Sequence, residues 1–233
     1  GRVDPRHHAE HLPPRRRVTN VPLYSPAFAS DGGRVFAGLE TAEILAVDVG
    51  TGEIAWRQTI PGAAWHSAPV AYFDAQWNRE RVLAAGDDGT VSVYDLSGTR
   101  MGTRGVASGG LRTPVAGLGG FALASDTGEI LHVAFADTPG TPTWTGRLVG
   151  PSSRSVDTIR EQDLVVFGDE TGRLYAYRLA SGALVYRAKL CDRVTAGPIV
   201  GFVPQSFEAN VWFGCQDGRL FAVSSAGAPR PVP

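Results

Sequence analysis

The sequence lacks most of what would announce a catalyst or a membrane protein. Of its 233 residues, one is lysine (Lys189), one is methionine (Met101) and two are cysteine (Cys191 and Cys215). Two cysteines do not make a disulfide framework, and two free thiols are the first reading. No apolar run reaches the roughly 18 residues that a helical span needs, so no membrane span is expected. No Gly-x-Ser-x-Gly elbow, His-Glu-x-x-His pair or phosphate-binding loop is present, so none of those chemistries is signalled. An excess of one charge is also lacking. The formal net charge is −1, which leaves no field to hold a polyanion and makes nucleic acid an unexpected partner. Except for Lys189 the Lys/Arg positions are all arginine, which fits a bacterial, GC-rich coding sequence. The chain opens Gly1-Arg2-Val3 without a signal-peptide core, so it is expected to be trimmed, either a mature form or a module excised from a larger bacterial protein, with the module as the working expectation. Cytoplasmic and cell-envelope locations both stay open.

What the chain has in quantity is turn-formers: 29 glycines and 16 prolines, in a composition 43% hydrophobic and 19% charged. Glycine in that number without a collagen period points to many tight turns, and so to an all-β fold.

One pattern recurs five times: an apolar strand, a turn ending in a small residue, and a second apolar strand. The copies span 35–48, 83–95, 121–134, 165–178 and 211–224. Their turn residues are Ala42, Gly89, Gly128, Gly172 and Gly218, which stand 47, 39, 44 and 46 residues apart. That period suits a four-stranded propeller blade. Asp-Gly and Thr-Gly supply the positive φ that short hairpin turns demand. After each turn apolar residues alternate with others, as in Val91 and Val93 or Leu174 and Ala176.

Two flanking strands complete the unit. Upstream lies a segment such as Ser67-Ala68-Pro69-Val70, Arg112-Thr113-Pro114-Val115, Asp157-Thr158-Ile159 or Ala196-Gly197-Pro198-Ile199. Proline suits a strand start on the innermost, channel-lining position. Downstream comes a glycine turn and an aromatic strand, with Trp56, Trp144 and Tyr186 in copies one, three and four. Copy two is expected to carry Thr103 at that place.

The stretch Asp48-Val49-Gly50-Thr51-Gly52-Glu53-Ile54-Ala55-Trp56, following its hairpin, resembles the quinoprotein-like (pyrroloquinoline-quinone-like) propeller repeat. The resemblance covers roughly residues 22–228. It implies a β-propeller of about five four-stranded blades. Residues 1–14 are expected to be a linker or tail, and 15–233 a single propeller domain closed by pairing of the two termini. The expected closing strand lies within residues 8–19, with 15–19 as the candidate, because the prolines of the C-terminal tail should pair poorly; the alternative is that the chain is part of a larger propeller of seven or eight blades.

In such a propeller the outer-to-inner loops and the hairpin turns share one face, here called the top. The loops bring Tyr24, Trp65, His66, Arg112, Asp157 and Arg193 to the channel mouth as candidate ligand-binding residues. Unlike polar groups around one mouth could orient a small polar or anionic ligand, or contact a protein partner. The turn acids, including Asp88, Asp169, Glu170 and Asp217, are read as structural, since Asp there bonds nearby backbone. His66 and Asp157 are the nearest approach to an acid–base pair, and no residue is assigned as catalytic. The cluster Arg6-His7-His8-Ala9-Glu10-His11 is read as tail, not as a metal site.

Repeats of this kind form sensing domains, assembly scaffolds and carrier-protein domains, so a binding, sensing or protein-interaction module is the expected function. The alternative is a free-standing enzyme of lyase or cyclase type at the channel mouth. Quinone-dependent members use larger rings with dedicated metal ligands and a stacking tryptophan. No cofactor, quinone included, is therefore expected.

Overall fold

The repeated hairpins become five four-stranded antiparallel sheets. The computed structural model describes residues 26–39, 41–59, 67–74, 78–117, 119–202, 209–227 and 229–230. Blade one is β1 to β4 (Ala27–Phe28, Arg34–Leu39, Glu43–Asp48, Ile54–Thr59). Blade two is β5 to β8 (Val70–Asp74, Arg79–Ala85, Thr90–Asp95, Arg100–Gly105). Blade three is β9 to β12 (Val115–Gly117, Gly120–Ala124, Glu129–Ala134, Trp144–Arg147), and blade four is β13 to β16 (Ser152–Ile159, Leu164–Asp169, Arg173–Arg178, Leu184–Lys189). Blade five is β17 to β20 (Val194–Phe202, Ala209–Cys215, Leu220–Ser224, Pro229–Arg230). Within every sheet the spatial order follows the sequence order. This is the all-β propeller architecture that the repeat predicted.

Burial explains the sequence pattern. The second strand of blade four, Leu-Val-Val-Phe-Gly-Asp, is buried at every position. Both faces of a middle strand lie against neighbouring blades, so polar alternation disappears there. The outer strand β16 alternates exposed and half-buried residues, as a strand with one wet face should. Four apolar cores form, each shared by consecutive blades: Phe36 and Ile44 with Val82 and Tyr94, Leu83 and Val91 with Phe121 and Val133, Ala122 and Ile130 with Val165 and Phe167, and Val166 and Leu174 with Val211 and Phe213.

Three expectations change. First, Cys191 and Cys215 are not free thiols but a disulfide, with Cα atoms 6.4 Å apart. The fold brings the loop before blade five onto that blade's hairpin turn, a proximity that 24 residues of separation conceal. Second, the outer strand of blade five comes from the chain's own C-terminal tail. Pro229 lies opposite Val223 and Arg230 opposite Ala222. Proline is tolerated on an outermost strand, which has no further strand to donate to. Residues 15–19, the expected closing strand, lie outside the described residues. Third, the aromatic position in blade two is held by Gly102. Trp56, Trp144 and Tyr186 lie opposite Ala46, His132 and Ala176, and the equivalent partner Val93 faces Gly102, while Thr103 faces Ser92.

That glycine has a purpose. A Cβ there would come within 2.7 Å of the Thr138 Cα. The loop 135–143 of blade three reaches back across blade two in place of a missing aromatic ring. Arg81, almost wholly buried, holds it through Asp137 Oδ1, with Nε and Nη2 at 2.8 and 2.7 Å. Phe135 stacks on Tyr72 with ring centroids 4.7 Å apart.

Candidate functional site

The top face is organised by one hydrogen bond repeated in three blades. The amides of Val106, Leu148 and Leu190 donate to the carbonyls of Gly89, Gly128 and Gly172 at 2.9, 2.8 and 3.0 Å. Each bond pins the loop leaving the outer strand onto the turn of the same blade. Gly172 has φ +78°, and a Cβ there would overlap the Cys191 carbonyl oxygen at 1.8 Å, so the turn demands glycine twice over.

Between blades four and five this scaffold builds a cleft of about 360 Å³ lined by Ser153, Glu170, Arg193, Val194 and Thr195. The Cys191–Cys215 disulfide lies close by, and the Gln216 amide donates to the Arg193 carbonyl at 3.0 Å, which ties the Arg193 backbone to the turn of blade five. Its guanidinium meets Glu170 Oε2 at 2.5 Å, with both side chains partly exposed. The Ser153 hydroxyl is buried and has no hydrogen-bond partner, although its residue lines the cleft. A second depression, lined by Asp192, Arg193, Gln216 and Asp217, adjoins it through Arg193. There Arg219 bonds Asp217 at 2.7 Å, which holds that carboxyl below its ordinary range, and lies 5.2 Å from the Phe221 ring centroid.

Beside the cleft, Asp169 is fully buried. Its Oδ1 accepts from the Thr171 amide and hydroxyl and from the Arg173 amide (2.9, 2.7 and 3.0 Å). Its Oδ2 accepts from the Tyr175 hydroxyl at 2.7 Å and the Gly150 amide at 3.3 Å. Burial would raise this carboxyl, but the bonds from Thr171, Tyr175 and Arg173 outweigh it and the net shift is downward. This acid orders the turn, and Asp88 does the same on a smaller scale through Thr90.

Of the six residues predicted for the mouth, Tyr24, Trp65 and His66 lie outside the described residues. Arg193 lines the cleft. Arg112 sits at the entry to blade three, its amide donating to the Ala124 carbonyl at 2.8 Å, with a buried and unpartnered Nε; it does not line the cleft. Asp157 lies within β13 and not in a loop. Its carboxylate accepts from the amides of Thr158 and, across the blade boundary, Val200, each at 2.7 Å. Ser153 and Thr195 escaped sequence reasoning. The signal that could find them is their place one residue beyond Ser152 and Val194, which pair with Asp169 and Cys215 at the turns.

The model of the family described as outer membrane protein assembly factor BamB matches residues 15–228. The chain belongs to this family. No curated protein matches it. Among solved structures, this BamB-family propeller is similar to a chain of the mitotic checkpoint complex (17% identity, TM-score 0.71, covering 90% of this chain and 63% of that one). It is similar to the C-terminal WD40 domain of Sif2 (15%, 0.67, 85% and 54%). It also resembles BamB from Moraxella catarrhalis (15%, 0.64, 93% and 75%). The chain thus spans less than two thirds of the length of the first two. At these identities the likeness is one of fold.

Proposed function

We propose that this chain is a protein-binding propeller module that engages an extended polypeptide segment at the cleft between blades four and five. The observation that carries this reading is the half-exposed Arg193–Glu170 pair beside a buried, unsatisfied Ser153 hydroxyl. An ion pair exposed to this degree stabilises the fold by about 0–1 kcal/mol, so a partner can exchange it at little cost. Arg193 would then take a carboxylate in a forked contact, Glu170 a basic side chain, and Ser153 a backbone group. The family's description as an assembly factor supports a polypeptide partner over a small molecule. The Cys191–Cys215 bond supports an oxidising location, the envelope side of the two left open by sequence.

The test is fluorescence polarisation with short unstructured peptides carrying an acidic residue, a basic residue, both or neither. Peptides carrying both should bind best, and Arg193→Glu and Ser153→Val should each weaken them about tenfold or more. Equal binding of all four classes, or variants indistinguishable from the parent chain, would sink the reading.

A further inference from the structure

Blades two to five repeat one contact at the top of the inner strands. A residue where the chain enters the blade meets the residue four places before the turn glycine. The Ser67 hydroxyl donates to the Ala85 carbonyl at 2.7 Å, the Arg112 amide to the Ala124 carbonyl at 2.8 Å, and the Thr195 hydroxyl to the Gly214 carbonyl at 3.5 Å. In blade four a Cβ on Gly168 would come within 2.8 Å of the Ser153 hydroxyl oxygen. Ser67, Arg112, Ser153 and Thr195 therefore share one level of the mouth, and that level holds one positive charge and no acid.

Two of these side chains are left incomplete. The Ser67 and Thr195 hydroxyls are spent on backbone carbonyls. The Arg112 Nε and the Ser153 hydroxyl are buried without a hydrogen-bond partner, and Ser153 as a whole is only 3% exposed. The Asp126 carboxylate of the blade-three turn lies over Gly109 and Gly110, and among the described residues no acid pairs with Arg112. The two incomplete groups meet at one blade boundary. Leu111 forms a bridge with Ser125, and the Ser152 amide donates to the carbonyl of that same Ser125 at 3.2 Å. Arg112 and Ser153 are the next residues along.

We propose that Arg112 and Ser153 bind an oxyanion, a carboxylate or a phosphate group, across the boundary between blades three and four. A guanidinium offers a planar fork of donors that matches two oxygens of such a group, and the serine hydroxyl supplies a further donor. Buried donors left unpaired are costly. Water would satisfy the hydroxyl but would not neutralise the guanidinium. A hydroxyl that donates to an anion keeps its acceptor capacity, so Ser153 can still accept a peptide amide at the neighbouring cleft.

Two-dimensional amide NMR of the full chain, titrated with inorganic phosphate or with acetate at an ionic strength held constant by sodium chloride, tests this. The amides of Leu111, Arg112, Ser152 and Ser153 should shift saturably with at least one anion, and the tighter of the two names the source. Arg112→Gln should weaken binding about tenfold or more and Ser153→Ala about threefold or more. Arg104→Gln, on the exposed outer strand β8, should bind like the parent chain. Thermal melts followed by circular dichroism identify a variant that fails to fold. Arg112→Lys, which keeps the charge and loses the fork, then replaces Arg112→Gln and should also weaken binding. Shifts that grow linearly with both anions overturn the proposal. So does a folded Arg112 or Ser153 variant that binds like the parent, or an Arg104→Gln that weakens binding as much as they do. No peptide is present in either titration, so a negative result leaves the cleft reading standing.

Discussion

The indole nitrogen of Trp144 donates to the carbonyl oxygen of Leu179 at 2.7 Å, fastening the outer strand of blade three to the bottom turn of blade four. Trp56 does the same for blades one and two, donating to Leu96 at 2.8 Å, and Arg34 donates to that carbonyl as well. The rings press on glycines of the next blade. A Cβ on Gly98 would meet Trp56, one on Gly182 would meet Trp144, and one on Gly227 would meet Tyr186.

Replacing Trp144 with phenylalanine keeps a ring against His132 and Tyr177 but removes the donor. The expected loss is about 1 kcal/mol, the net worth of an ordinary hydrogen bond. Urea titration should show a lower midpoint with an unchanged slope.

The disulfide closes a loop with a sequence separation of 24, and loop-closure entropy for that length is worth about 3 kcal/mol. A Cys191→Ser/Cys215→Ser double variant should be destabilised by about that much in denaturant titration. An excess of dithiol should bring the parent chain down to the variant's midpoint and leave the variant where it was. A parent chain indifferent to reductant would show that the bond does not form in solution.

The blades were legible because the turn glycines and the flanking apolar alternation are local signals. The disulfide was not, since spacing alone cannot show that the loop holding Cys191 folds onto the turn holding Cys215. Nor was the role of Gly102 visible, because what fills its space is a loop from the following blade. At the site, Arg193 was found from its loop position and charge. Ser153 is a small hydroxyl in a strand, and only the register with Asp169 places it at the cleft. Asp157 belongs to both readings of the sequence, inner strand and mouth loop, and it lies in the strand, its carboxylate accepting from the amides of Thr158 and Val200.

Asp169 has a folded-state pKa below its ordinary value of 3.8. Its contribution to stability is therefore complete above 3.8 and disappears as pH falls through the lower folded-state value. Asp169→Asn should cost about 1–3 kcal/mol near neutrality, and its deficit against the parent should shrink in acid below 3.8. Chemical denaturation of both proteins between neutral and strongly acidic pH checks this. Tyr175, whose hydroxyl burial and Asp169 push up to about 12, stays a donor throughout.

His132 is held below 6.5 chiefly by burial, with Asp163 opposing. Its Nδ1 lies 2.7 Å from the Thr143 hydroxyl, its Nε2 is buried without a partner, and its ring stacks on Trp144 with centroids 5.8 Å apart. The unfolded chain takes up this proton more readily, so stability should fall as pH drops below 6.5. NMR titration of the His132 ring protons should give a midpoint under 6.5, and His132→Phe should flatten that part of the stability profile.

The Trp144–Leu179 contact also has a direction. Each anchoring ring belongs to the earlier blade, and the carbonyl or glycine it meets to the later one. During synthesis from the N-terminus, Trp56 emerges before Leu96, Trp144 before Leu179, and Tyr186 before Gly227. A nascent blade therefore waits with its aromatic latch uncovered until the next one leaves the ribosome. A translational pause with Leu179 still inside the ribosomal exit tunnel would leave Trp144 without its acceptor, whereas a pause after blade four has emerged would let blade three lock.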